Sequence, residues 1–79
     1  MTLWEMKAKQ QALIHSLSAK LSPAVAGRLH EMGFNAGQAI LCLRRSPLRG
    51  PLVVQVGDCV YSLEQEVAQA VLLEQSAAS

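Results

Sequence analysis

The segment that decides the fold is AILCLRRSPLRGPLVVQVGDCVYSL, residues 39–63. Apolar residues alternate through 52–56 and again through 59–63, which is the period-two pattern of a half-buried β-strand. Gly57-Asp58 separates the two runs and predicts a tight hairpin. A third alternating run at 39–45 precedes a loop that contains two prolines. The segment therefore predicts three consecutive antiparallel strands.

Strand alternation also assigns side chains to faces. Ile40 and Cys42 fall on one face of the strand at 39–45, and Leu41 and Leu43 fall on the other. Cys59 lies on the apolar face of its own strand. A free cysteine in such a position behaves as a small hydrophobic residue, so both cysteines are predicted to pack in the core.

A helix is predicted upstream of this segment, over 23–32. Ser22 is a favoured N-cap residue, and Pro23 suits the first helical position because it lacks the N–H that would be unpaired there. Gly33 is suited to the left-handed conformation that ends a helix. The apolar stripe of this helix has helical spacing and consists of Val25, Leu29 and Met32.

The flanks complete the predicted architecture. Residues 11–17 form a strand that is apolar on both faces, and residues 71–73 form a short final strand. Ser62 is predicted to cap a short helical turn over 64–68, and residues 75–79 form a tail. Residues 3–10 show no strong periodicity. The order predicts a mainly β protein with one helix between strands 1 and 2. Five short strands with a hairpin suit a small closed or half-closed barrel, because closure hides strand edges that would otherwise be exposed.

Composition restricts both the architecture and the class of protein. A chain of 79 residues, 51% hydrophobic and 16% charged, forms one domain over 1–79 with a core at 11–74. With one Trp, one Tyr and one Phe, that core must be aliphatic. Two cysteines are too few for a disulfide scaffold, and the sequence shows no signal peptide or membrane span, which predicts a cytoplasmic protein with reduced thiols. A net charge of +1 and few aromatic residues give no reason to expect nucleic acid.

The sequence offers little for catalysis or for metal binding. No nucleophile has a base at a suitable spacing, and no glycine-rich phosphate loop precedes a helix. The weak metal-ligand candidates form no C-x-x-C or H-x-x-x-H pair; they are His15, His30, Cys42 and Cys59. We therefore predict a non-enzymatic interaction module that needs no cofactor, with at most an adventitious divalent metal.

Three longer segments carry a family resemblance. Residues 21–24 (LSPA) followed by 28–37 (RLHEMGFNAG) resemble the L-S-P … R-L-x-x-[LM]-G-[LMF]-x-x-G motif of the FeoA family. Residues 45–54 (RSPLRGPLVV) are similar to the family's R-x-P-x-x-x-P-[LI]-x-[VI] segment. The resemblance implies an SH3-like β-barrel and a role as a small cytosolic accessory protein of ferrous-iron uptake. The implied partner is FeoB, an inner-membrane transporter with a cytosolic GTP-binding domain, which would hold the chain at the membrane without membrane insertion.

Strand alternation and the exposed loop suggest where such a partner would dock. Arg49-Gly50 replaces the Gly-Asp that the family usually has between the two prolines, and Glu64 replaces a common Arg, so these departures concern surface charges. All seven Lys and Arg residues lie in 1–49. We expect an outward apolar patch with a basic rim, which docks on FeoB or supports weak self-association; its predicted residues are Leu41, Leu43, Leu48, Arg28, Arg44, Arg45 and Arg49.

Two alternative functions remain open at this stage. The same fold occurs as the C-terminal domain of iron-dependent repressors, which makes a regulatory module the second interpretation. The third is a metal carrier that uses histidine or cysteine ligands. The sequence does not decide whether the chain binds iron or alters GTP hydrolysis by its partner.

Overall fold

The structure is a computed structural model, and it describes residues 1–74, so the tail predicted at 75–79 lies outside the described residues. A short 3-10 turn at Leu3–Glu5 precedes the first strand. The remaining elements, in chain order, are β1 (Gln11–Leu17), α1 (Pro23–Glu31), β2 (Ala39–Arg45), β3 (Leu52–Val56), β4 (Cys59–Leu63), α2 (Gln65–Gln69) and β5 (Val71–Leu73).

The five strands form one antiparallel sheet in the order β4-β3-β2-β1-β5. β1 belongs to both halves of this sheet, because Gln11 to Leu13 pair with β2 whereas Ile14 to Leu17 pair with β5. The sheet is not closed, since β4 and β5 do not pair within residues 1–74. The predicted mainly β, five-stranded architecture is confirmed, and every strand has the predicted bounds.

The signals that predicted α1 act as expected. The Val25 N–H donates to Ser22 Oγ over 3.3 Å, and Pro23 occupies the first turn. The helix ends at Glu31, one residue before the predicted end. Gly33 then adopts φ 103°, which lets the Phe34 N–H return to the Leu29 carbonyl at 2.9 Å.

The core is aliphatic around a single buried phenylalanine, Phe34. Inward residues of all five strands and Leu29 of α1 belong to the same hydrophobic cluster. Two further core residues, Leu3 and Met6, are fully buried and come from the N-terminal segment in which the sequence showed no strong period. The N-terminus therefore completes the core, and α1 contributes to the same core through Leu29.

A β-bulge in β2 changes the expected alternation. Cys42 faces Val54, but Arg44 rather than Leu43 faces Val53, and Arg45 then faces Leu52. Since Leu52 is fully buried, the shift by one residue places Arg45 on the inner side of the sheet and Arg44 on the outer side.

Two predictions about the β3–β4 hairpin and its exit are wrong. Cys42 is buried as expected, but Cys59 is exposed, although its cross-strand partner Val56 is buried; Cys59 belongs to the outermost strand, which has no further strand beside it. Ser62 does not cap the following helix, since β4 continues to Leu63 and Glu64 is the N-cap of α2.

Candidate docking surface

The loop at 46–51 is the most distinctive part of the surface. Backbone hydrogen bonds from Ser46 to the Pro51 carbonyl (3.3 Å) and from Gly50 to the Pro47 carbonyl (3.0 Å) hold it closed. Leu48 at its tip is 100% exposed and has φ 56°, and Arg49 has φ 60°. A left-handed conformation costs a non-glycine residue on the order of 1 kcal/mol, and Leu48 recovers none of it by burial. An exposed leucine in a strained conformation suggests a role in binding rather than in folding.

Gly50 explains why the loop is so compact. A Cβ at this position would come within 2.8 Å of Ser46 Cβ and 3.1 Å of the Pro47 carbonyl oxygen. A larger residue would push the two ends of the loop apart, so Gly50 is needed where the chain crosses back over Ser46. The loop presents Leu48 on a short backbone frame that is fixed by hydrogen bonds.

The outward face of the sheet carries a band of apolar side chains. Leu41 faces Gln55 across β2 and β3, and Gln55 in turn faces Val60 on β4. Leu41, Leu43 and Val53 are half-buried, whereas Val60 is 56% exposed. Val60 is therefore left largely accessible by α1 and by the rest of residues 1–74.

The four predicted rim arginines do not form one cluster. Arg44 and Arg49 are exposed near the 46–51 loop, at the end where β3 begins. Arg28 is exposed on α1, and the chain at the end of this helix lies against the opposite end of β3, since a Cβ at Gly33 would be 3.3 Å from Val56 Cγ1.

Arg45 is occupied within the protein. Its Nη1 donates to the carbonyls of Trp4 and Met6, both at 2.6 Å, and its guanidinium lies 4.9 Å from the centre of the Trp4 ring. This contact between β2 and the N-terminal segment is absent from the sequence-based interpretation, because nothing local relates residues 41 positions apart.

A groove of about 410 Å³ joins the loop to the start of α2. Arg49 and Pro51 form one wall, and Glu64, Gln65 and Glu66 form the other. The surface beside Leu48 is therefore basic on the β2 side and acidic on the α2 side. A complementary partner would need both signs of charge around an apolar centre.

The candidate metal ligands lie apart. His15 and His30 are exposed, and the Nδ1 of His30 is 2.8 Å from Asn35 Oδ1. Burial raises the pKa of the Cys42 thiol, which disfavours the thiolate that a metal would need. Within residues 1–74, no group of three or more His, Cys, Asp or Glu residues is placed to hold an ion.

A known protein family matches nearly the whole chain. The FeoA domain matches residues 1–75. This chain belongs to the FeoA family. Ferrous-iron transport and an SH3-like fold are the established associations of that family.

Solved structures of FeoA proteins are similar over almost the whole chain. FeoA from Stenotrophomonas maltophilia, described as a zinc-complexed SH3-domain protein and a candidate activating factor of ferrous-iron transport, shares 32% identity with a TM-score of 0.84. The match covers 94% of this chain and 89% of that one. FeoA from Chlorobium tepidum shares 29% identity with a TM-score of 0.87, over 100% of this chain and 73% of that one. No curated protein sequence matches the chain.

The fold of FeoA proteins also occurs in transcriptional regulators. A manganese-dependent transcriptional repressor is 18% identical, with a TM-score of 0.79 over 94% of this chain and 41% of the repressor. This likeness extends to the fold alone. No helix in residues 1–74 is long and apolar enough to cross a membrane.

Proposed function

We propose that this FeoA-family chain is a non-catalytic accessory protein of ferrous-iron uptake that binds the cytosolic side of the FeoB transporter through a protein–protein surface. Family membership supports the transport role. The observation that carries the docking role is Leu48, which is fully exposed at the tip of a hydrogen-bonded loop in a left-handed conformation. Exposed apolar surface that is rimmed by polar groups marks protein interaction sites, and Leu48 supplies such surface at the loop tip.

The surroundings of Leu48 support one continuous surface. Arg44 and Arg49 provide positive charge on one side, and the groove beside Glu64 provides negative charge on the other. The outward band of Leu41, Leu43, Val53 and Val60 extends the apolar part along the sheet. Arg45 is left out of the proposed contact because it holds the N-terminal segment.

Binding is tested by pull-down of detergent-solubilised FeoB with folded variants. Leu48→Glu and Leu43→Glu should each reduce the captured transporter at least about tenfold, since a buried unpaired charge in an interface costs 1.4 kcal/mol or more. Val25→Glu is the matched control, because it puts the same charge on an exposed apolar position of α1. If both Leu variants bind as well as wild type, this surface does not dock on the transporter.

The biological role is tested by deleting the chain. An accessory protein predicts loss of ferrous-iron uptake at an unchanged level of the transporter protein. Changed transcript levels with normal transport activity per transporter would instead support the regulatory interpretation. If wild type but not Leu48→Glu restores ferrous-iron uptake in the deletion strain, the surface around Leu48 is needed for uptake.

A further inference from the structure

We propose that the free edge of β4 receives an extended segment of the partner by strand addition, and that this segment has an apolar centre flanked by basic residues. The proposal rests on the proposed function, because the partner is the transporter that the accessory role requires. Strand addition at β4 would be the way in which this chain holds that partner.

β4 is the edge of the sheet with open backbone groups. It is the first strand in the order β4-β3-β2-β1-β5 and pairs with β3 alone. The other edge, β5, is partly covered, because Thr2 forms a bridge with Leu72 and the Leu73 N–H donates to the Met1 carbonyl at 2.8 Å. No equivalent backbone contact reaches the outer side of β4 within residues 1–74.

The hairpin decides which groups of β4 are open. Val56 and Cys59 flank the two-residue turn, so they form its closing hydrogen-bonded pair. Hydrogen-bonded and non-bonded pairs alternate along an antiparallel ladder, so Tyr61 bonds to Val54 and the intervening residues do not bond to β3. Val60 and Ser62 therefore each direct one N–H and one C=O away from the sheet.

The strand lacks the usual protection of a sheet edge. Folded proteins commonly guard such edges with lysine, proline, an inward charge or a covering element. The sequence of β4 is CVYSL, which has no charge and no proline. Val60 and Ser62 are exposed, so no helix in the described part of the chain covers this edge.

Charge at the two ends of β4 identifies the occupant. Asp58 precedes the strand and Glu64 follows it, and both are exposed. An added strand with basic residues at its ends would pair with these acids. Arg49 is the one base lining the groove at the Glu64 end, where Glu66 adds a further acid.

A second copy of the chain fits this edge poorly. The antiparallel register that pairs β4 with β4 of another copy over its whole length places each Asp58 opposite the other Glu64. Like charges directly opposite one another destabilise a strand pair. The edge thus favours a partner segment of different sequence over self-association.

Amide hydrogen exchange measured residue by residue tests the proposal without any substitution. In the free protein, the amides of Val60 and Ser62 should exchange at least about tenfold faster than that of Tyr61, the internal control. In the complex with detergent-solubilised FeoB, exchange at Val60 and Ser62 should slow at least about tenfold, and Tyr61 should change little. Exchange is quenched while the complex is intact, and the exchange of each amide is read after the complex has been dissociated.

Three other outcomes of the exchange experiment would each contradict part of this account. A complex that leaves the Val60 and Ser62 amides unprotected overturns strand addition but leaves the proposed function intact. Protection that grows with protein concentration in the absence of FeoB identifies a second copy as the occupant and overturns the proposal. Failure to form any complex overturns the proposed function and this inference together.

The charge requirement is tested by a pair of conservative substitutions. The double variant Asp58→Asn, Glu64→Gln keeps the size of both side chains and should weaken FeoB binding at least about threefold at low salt, with a smaller effect at high salt. Glu31→Gln on α1 is the control, because it removes an exposed acid elsewhere. Equal binding by the double variant and the control would show that the partner segment carries no basic flanks.

Discussion

The guanidinium of Arg45 lies over the ring of Trp4, 4.9 Å from its centre, while its Nη1 donates to the Trp4 carbonyl at 2.6 Å. The same atom also reaches the Met6 carbonyl at 2.6 Å. One side chain from β2 thus fixes the segment that places Leu3 and Met6 in the core.

Arg45→Ala should lower the free energy of unfolding by about 2 kcal/mol, because it removes two charge-assisted hydrogen bonds and a cation–π contact from a partly exposed site. Urea unfolding followed by the fluorescence of Trp4, the single tryptophan, measures the loss. Trp4 should also become more solvated in the native state. Arg44→Ala, at an exposed neighbouring position, should stay within about 0.5 kcal/mol of wild type. Equal effects of the two changes would contradict a structural role specific to Arg45.

Leu48→Asn should raise the stability of the fold slightly, by up to about 1 kcal/mol, because asparagine tolerates the left-handed conformation better than leucine. No apolar burial is lost, since Leu48 is 100% exposed. The same variant should bind FeoB more weakly. Chemical unfolding and pull-down together measure the two effects. A loss of stability would show that Leu48 contributes to folding, which would remove the main argument for its role in docking.

Tyr61→Phe should cost about 1 kcal/mol, because it removes the 3.0 Å hydrogen bond from the tyrosine hydroxyl to the Met32 carbonyl. The ring contact with Phe34, at 5.6 Å between centroids, is kept in this variant. Tyr61→Ala removes both and should cost about 2 to 4 kcal/mol. Thermal and urea unfolding of the two variants separate the contributions. If the Phe variant were as unstable as the Ala variant, the hydroxyl hydrogen bond would account for the whole loss of stability and the ring contact for none of it.

The local patterns of the sequence predicted the five strands and α1 because each has its own periodicity and clear boundaries. Alternation through 52–56 and the Gly57-Asp58 turn suffice for the β3–β4 hairpin, and Ser22-Pro23 with Gly33 suffices for the helix. These signals lie within a few residues of the elements that they define. The exposed loop tip at Leu48 was predicted for the same reason, since two prolines enclose it.

The parts that escaped prediction depend on contacts between distant residues. Leu3 and Met6 are buried in a segment that is held by distant residues, Arg45 among them, so no local pattern predicts their burial. The bulge after Cys42 reverses the faces of the last residues of β2, so simple alternation would put Arg45 outside. Cys59 follows the alternation but is exposed, because β4 is the edge strand and alternation along one strand does not show which strand lies at the edge.

Glu5 provides a pH-dependent prediction for the N-terminal segment. The Thr2 backbone N–H donates to Glu5 Oε1 at 2.8 Å, and this bond, with a second from the Thr2 hydroxyl, holds the pKa of the carboxyl below its usual range. A pKa lowered by folding stabilises the native state above the unfolded value of about 4.3 and ceases to do so as pH falls through the folded value. Wild type should therefore unfold at a higher temperature than Glu5→Gln at about pH 6, with the difference disappearing near about pH 3. If the difference in unfolding temperature between wild type and Glu5→Gln stayed constant over this pH range, the ionised Glu5 carboxylate would not be its cause.

The two thiols should react at very different rates with a disulfide reagent. Cys59 is exposed, whereas Cys42 is 0% exposed and its pKa is raised mainly by burial, so at neutral pH its reactive thiolate is both scarce and inaccessible. Native protein should show one fast thiol and one that reacts only as the chain unfolds, and both should react fast in denaturant. Cys59→Ser should abolish the fast phase, and Cys42→Ala should retain it. Because folding raises the pKa of Cys42, a pH above the unfolded value of about 8.5 favours the unfolded chain, so the slow thiol should also become more reactive at alkaline pH. Two equally fast thiols in the native protein would contradict the burial of Cys42 at the centre of β2.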